Sequence, residues 1–178
     1  KGDEVIVPAH TYTSSAYPFV KKGASIVWSD IESDTRVVSV ETIAKCLSSK
    51  SRVLVVPHLY GYGADMPSIM SLASKHNLIV VEDAAQAAGV KINDRMAGSF
   101  GDLAVYSFHS HKNVTTFGEG GMLVVNDPEF AEKVPMLRHN GHRPYSADRL
   151  DYWVPAMTDV VLPSLHGKPM WPINACLN

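Results

Sequence analysis

The chain has 178 residues, enough for one domain or at most two small ones around a buried core. Apolar residues make up 46% and charged residues 19%, which excludes a disordered polar chain. Lys plus Arg number 16 against 18 Asp plus Glu, a net charge of −2 that offers no electrostatic handle to nucleic acid or to an anionic membrane.

Six short apolar runs recur in chain order: 4–8 (EVIVP), 25–29 (SIVWS), 53–57 (VLVVP), 78–82 (LIVVE), 103–107 (LAVYS) and 122–125 (MLVV). They are continuous rather than alternating and mostly β-branched, the pattern of strands buried on both faces. Helix-like stretches fall between several of them. One is predicted over 14–22 and one over 40–47 behind Ser39 as N-cap. A third, over 67–76, follows Asp65 and an early Pro. A fourth is predicted over 128–140, started by Asp127 and Pro128 and stopped by Gly141.

The first five strands start at 4, 25, 53, 78 and 103, spaced by 21, 28, 25 and 25 residues, which is the rhythm of β-α units. The expected fold is therefore α/β, in three α/β/α layers around a mostly parallel sheet. The run 122–125 follows too closely for a crossover helix and could be antiparallel. After Ser146 the pattern fades, and Pro155, Pro163, Pro169 and Pro172 mark a tail of loop or short helix. We divide the chain at 146/147. It opens at Lys1-Gly2-Asp3 and runs at once into an apolar strand, so we expect a piece of a longer protein, inactive by itself.

In open α/β sheets, ligands bind outside the carboxyl ends of the strands. Those ends carry His10-Thr11-Tyr12, His58-Leu59-Tyr60-Gly61, Asp83-Ala84-Ala85-Gln86, and Ser107 followed by His109, His111 and Lys112. Lys112 and Asp83 are singled out. A desolvated Lys can form a Schiff base, and an Asp can keep a pyridine nitrogen protonated so that the ring acts as an electron sink. Tyr12 could cover a ring face, Ser107 could donate to a phosphate, and Gly118-Glu119-Gly120-Gly121 would permit a tight turn. On residue types alone, a lone Lys in a loop such as Lys112 is usually a solvated charge and an Asp after a strand such as Asp83 usually a helix N-cap, and Tyr12 could be a core aromatic.

The stretch Glu82 to Asp127, with EDAAQ, SFHSHKN and GEGG in order, strongly resembles the nucleotide-sugar aminotransferases of the DegT/DnrJ/StrS family. Gly2–Ala16, Pro57–Ile69 and Leu137–Gly141 look like the same family. The resemblance implies part of the large domain of a fold-type I enzyme that uses pyridoxal 5'-phosphate. It further implies that Lys112 is the Schiff-base lysine, and that Asp83 pairs with the pyridine nitrogen. Gln86 would lie by the phenolic oxygen, Ser107 would bind the phosphate, and Tyr12 would stack on the ring. Asn174 matches the Asn of a motif that reaches the partner subunit, although Cys176 stands where Arg is usual. The family's Gly-Thr helix start precedes the position of Gly2, and its C-terminal domain follows the matched stretch.

The implied reaction moves an amino group from an amino acid, Glu or Gln, to a keto sugar nucleotide or cyclitol, in a homodimer. Three alternatives stand beside it. A sugar dehydratase relative would carry His in place of Lys, but the five-residue step from Ser107 selects Lys112 over His111. A non-catalytic relative would not need Lys112, Asp83 and Gln86 together. A zinc hydrolase would need ligand spacing that His109-x-His111 and His139-x-x-His142 do not provide. No metal is expected, nor is a nucleic-acid or membrane partner, since no apolar run approaches the ~20 residues of a membrane span. The two cysteines, Cys46 and Cys176, form neither a CxxC nor a disulfide framework, and no secretory signal pattern opens the sequence. Together these suggest a cytoplasmic setting.

Overall fold

The computed structural model describes residues 2–138 and the short segments 164–165 and 168–169. The chain forms two compact units, Lys1–Asn126 and Asp127–Asn178. The first unit holds strands β1 (Glu4–Pro8), β2 (Ser25–Ser29), β3 (Ser51–Pro57), β4 (Ile79–Asp83), β5 (Lys91–Ile92), β6 (Arg95–Met96), β7 (Leu103–Ser107) and β8 (Gly121–Val125). Its helices are α1 (Tyr17–Lys21), α2 (Val40–Ala44) and α3 (Met66–Lys75).

Six strands make one sheet in the order β2-β1-β3-β4-β7-β8. The first five are mutually parallel, and β8 runs antiparallel to β7, with Ser107 opposite Gly121 and Leu103 opposite Val125. The expected sheet is present, including the antiparallel last strand. The continuous apolar runs have the predicted cause. In β1, Ile6 faces a core shared with Leu54, Val56, Val80, Ile43 of α2, and Met66, Ile69 and Ala73 of α3. Its neighbours Val5 and Val7 face the opposite way, onto Val55, Ala16 and Phe19. The helices thus lie on both faces, giving three layers.

The helices are shorter than predicted at several ends. Residues 14–22 split into a 3-10 turn, Thr13–Ser15, and α1, which opens with Pro18 in its first turn. The cap readings are met: Ser39 accepts from the Thr42 N–H in a capping box, and Asp65 accepts from Ser68 N–H. Between β4 and β7 the chain forms the β5–β6 hairpin, which no apolar run announces. Its turn residues Asn93 and Asp94 both have positive φ, 47° and 63°, the requirement of a tight two-residue hairpin turn.

In the second unit, α4 (Pro128–Arg138) starts as predicted, with Asp127 Oδ1 accepting the Phe130 N–H at 3.0 Å. The tail, expected as loop or short helix, contains an antiparallel pair, β9 (Ser164–Leu165) and β10 (Lys168–Pro169). Gly141, Asn174, Cys176 and the 146/147 boundary lie outside the described residues.

The order β2-β1-β3 fixes where a ligand can sit. From β1 the chain steps outward to β2, with α1 on one face. It then returns past β1 to β3 and β4, with α2 and α3 on the other. Right-handed crossovers that reverse direction must change face. The reversal leaves a crevice at the carboxyl ends of β1 and β3.

Candidate active site

A cleft of about 530 Å³ opens at those strand ends, lined by Tyr12, His58, Asp83, Gln86, Ser107 and Lys112 among others. An adjoining hollow of about 320 Å³ shares Gln86, Ser107 and Lys112 and adds Tyr60, Asn113 and Val114. Five of the six site residues read from the sequence are therefore brought together, from the ends of three strands, β1, β4 and β7; the sixth, Asn174, lies outside the described residues. The cleft falls within the ~300–1,000 Å³ typical of small-molecule sites.

Asp83 ends β4, and no helix follows it. The N-cap reading is thereby set aside. Its carboxylate is fixed at both oxygens. Oδ2 accepts from Ser15 Oγ at 2.6 Å and Oδ1 from the Ala85 N–H at 3.1 Å. Tyr12 is 72% exposed, so it is not a core aromatic; it lines the cleft. Lys112 is half-buried, whereas its neighbour His111 is exposed. Its backbone N–H closes a turn onto His109 O at 2.9 Å. Ser107 Oγ accepts the His109 N–H at 3.3 Å, which leaves its own O–H to donate elsewhere.

Gln86 is oriented by a strained backbone. Tyr60 has φ 55° and ψ 19°, a left-handed conformation uncommon for a bulky residue. This conformation brings its N–H to within 2.7 Å of Gln86 Oε1. An N–H can only donate, so the amide oxygen faces Tyr60 and the Gln86 Nε2 group is left as the donor for another partner.

Directly behind Asp83, Glu82 is fully buried. Its Oε1 accepts from the Phe100 and Gly101 N–H groups, both at 2.6 Å, and its Oε2 from Gly98 N–H at 2.7 Å. His58 Nε2 lies 2.9 Å from Oε2, while His58 Nδ1 accepts the Ala64 N–H at 3.3 Å. With Nδ1 an acceptor, Nε2 carries the proton and donates to Glu82. Burial pushes the Glu82 carboxyl up, but the hydrogen bonds from His58, Gly101 and Gly98 outweigh it and hold it below the ordinary value. Burial, and then the Glu82 charge, push the Tyr106 phenol up. Gly101 is required by close approach, since an added Cβ would lie 2.8 Å from Val80 O.

The Lys112 loop is strapped to the sheet end. Phe108 N–H donates to Gly120 O at 2.7 Å, Thr116 N–H donates to Phe108 O at 2.9 Å, and His109 Nε2 lies 3.5 Å from Glu119. The two predicted close histidines, His109 and His111, meet ring edge to face at 4.9 Å. Among the described residues, no three His, Cys, Asp or Glu side chains are gathered as a metal site would need.

Sequence reasoning named the residues that line the cleft and missed those that hold them: Ser15, Glu82 and the Tyr60 backbone. The signals were faint. A Glu closing the apolar run LIVVE is unusual for a solvent charge, and Ser15 stands three residues beyond Tyr12 in a hydroxyl-rich run.

Residues 1–158 match the DegT/DnrJ/EryC1/StrS aminotransferase family. Among individual proteins, the chain is 41% identical over 152 residues to a UDP-N-acetyl-3-dehydro-alpha-D-glucosamine 3-aminotransferase of Acidithiobacillus ferrooxidans, covering 85% of this chain and 41% of that one. The structure of an aminotransferase from Psychrobacter cryohalolentis superposes with a TM-score of 0.79 at 37% identity, covering 97% of this chain and 40% of that one. A sugar aminotransferase of Streptococcus pneumoniae, solved in its PMP-form, gives 0.75 at 28% identity, over 86% and 44%. This chain thus spans about two fifths of the length of the relatives it matches. Aminotransferases of the family use pyridoxal 5'-phosphate. On the sequence match, the fold and the structural likeness together, the chain belongs to the DegT/DnrJ/EryC1/StrS aminotransferase family.

Proposed function

We propose that this chain supplies the cofactor-holding part of an enzyme that transfers an amino group from glutamate or glutamine to a keto sugar nucleotide or cyclitol. The observation that carries the reading is the meeting of Tyr12, Asp83, Gln86, Ser107 and Lys112 around one cleft, within a chain of this family. These residues fit pyridoxal 5'-phosphate. They provide an exposed ring face, a carboxylate already fixed at both oxygens, an amide donor, a hydroxyl with its proton to spare and a half-buried amine. Bound there, the cofactor would supply an electron sink for the carbanion at the donor's Cα.

Each side chain has a separate task. Asp83 would keep a proton on the ring nitrogen. Gln86 Nε2 would donate to the phenolic oxygen, Ser107 Oγ would donate to the phosphate and Tyr12 would shield one ring face. Lys112 Nζ is the amine that would hold the cofactor, and once free it would take the proton from the donor's Cα as general base. In the reverse sense it delivers a proton to the carbon that gains the amino group. The half-buried Lys112, beside an exposed His111, favours transfer over dehydration. The whole protein acts as a homodimer in the cytoplasm, with residues 1–146 in its large domain and Asn174 directed to the partner's site.

The test is a half-reaction. Intact protein loaded with pyridoxal phosphate is titrated with glutamate and, separately, glutamine, and the chromophore is followed. Conversion to the pyridoxamine form, reversed by a keto sugar nucleotide and insensitive to a chelator, is expected. A chromophore that no amino donor changes would overturn the reading.

A further inference from the structure

The cleft's carboxylate is held by a chain of two hydroxyls, of which Ser15, the one that touches it, does not itself line the cleft. Ser15 is 6% exposed and absent from the cleft wall, which its neighbours Thr11, Tyr12 and Ser14 help to form. Its Oγ donates to Asp83 Oδ2 at 2.6 Å across 68 residues of sequence. The same Oγ lies 2.8 Å from Thr11 Oγ1. A serine hydroxyl has one proton, and here Asp83 takes it. Thr11 must therefore be the donor to Ser15, so the protons all point one way, from Thr11 through Ser15 to Asp83. Hydrogen bonds aligned in this sense polarise one another and strengthen the hold on the carboxylate oxygen at the end of the chain.

We propose that Ser15, relayed by Thr11, is a positioning residue that fixes the rotamer of Asp83 for pairing with a pyridinium nitrogen. The inference rests on the assignment of Asp83 to that nitrogen. The local fold supports it. Ser15 closes a 3-10 turn, its N–H donating to Tyr12 O at 3.0 Å, so the segment that presents Tyr12 to the cleft also aims Ser15 behind Asp83. The Ala85 N–H holds the other oxygen, and removal of Ser15 Oγ would leave the carboxylate tied at one point only. A carboxylate free to turn about that single tie would present a shifted oxygen to the ring, and displacement of a reacting group by ~1 Å can cost a hundredfold in rate.

The experiment compares Ser15→Ala, Ser15→Thr, Thr11→Val and Asp83→Asn in the intact protein loaded with pyridoxal phosphate. Thermal midpoint, cofactor affinity, the pH titration of the bound chromophore without donor, kcat and KM are measured. Loss of a hydrogen bond to a charged group predicts a fall in kcat of roughly tenfold or more for Ser15→Ala, with donor KM little changed. The chromophore titration should move in the same direction as in Asp83→Asn and by less. Ser15→Thr, which keeps the hydroxyl, should recover both. If Ser15→Ala does not fold, Thr11→Val decides, with a smaller shift of the same sign expected. A harmless Ser15→Ala beside a damaging Asp83→Asn overturns the relay and leaves the Asp83 assignment standing. Equal losses in Ser15→Ala and Ser15→Thr overturn it as a packing effect. A harmless Asp83→Asn overturns both.

Discussion

At the scale of single residues, the cleft is built from donors and acceptors whose directions are fixed by elementary bonding rules. Gln86 illustrates this best. The Tyr60 N–H occupies its amide oxygen, so only its NH2 group remains for a ligand oxygen. Gln86→Glu keeps an oxygen for Tyr60 and replaces the NH2 with a second acceptor. The expected result is nearly unchanged thermal stability and cofactor affinity weaker by roughly tenfold, since a donor to a charged oxygen is lost and a like charge is added. Spectroscopic titration of cofactor binding measures it. Tyr60→Pro removes the N–H itself and demands φ near −65°, incompatible with the observed 55°. It should both loosen the turn and weaken the cofactor. A Tyr60→Gly change relaxes the strain, retains the N–H and should preserve binding.

At the scale of elements, Glu82 ties β4 to the segment before β7. Three backbone N–H groups and His58 converge on one buried carboxylate, so Glu82→Gln would set an NH2 group against at least one of these donors. A loss of about 3 kcal/mol is expected, measured by denaturant unfolding. The pH dependence follows from the direction of its shift. Glu82 sits below its ordinary value of 4.5 in the fold, so its contribution is complete above that value and is lost as pH falls through the folded pKa. The native protein should therefore show an acid limb below about pH 4.5 that Glu82→Gln flattens.

The strands were legible because each is a continuous apolar run flanked by breakers, and the cleft residues because they end or closely follow those runs within motifs that resemble the family's. The β5–β6 hairpin was not, since its strands are two residues long and Lys91, Arg95 and Met96 are exposed. A pattern method has nothing to register there. The supporting contacts were hidden for a different reason. The Ser15 to Asp83 bond joins residues 68 apart, and the Glu82 bonds use backbone groups, which carry no residue signature.

At the scale of the whole molecule, this chain covers about two fifths of its relatives' length, yet it carries the cleft in which five of the six sequence-read residues meet. Affinity for the cofactor and turnover are separable on this account. The 178-residue chain alone, given excess pyridoxal phosphate and glutamate, should show background turnover, because it spans only about two fifths of the length of its relatives. Turnover by the isolated chain at the rate of the intact protein would refute that. The central claim is the bond between the cofactor and Lys112. The direct measurement is to load the intact protein with pyridoxal phosphate, reduce it with borohydride, digest it and locate the added mass. The expected result is a pyridoxyl group on Lys112, and none anywhere in a Lys112→Ala protein. A reduced adduct on another lysine, or one that persists in Lys112→Ala, would contradict it.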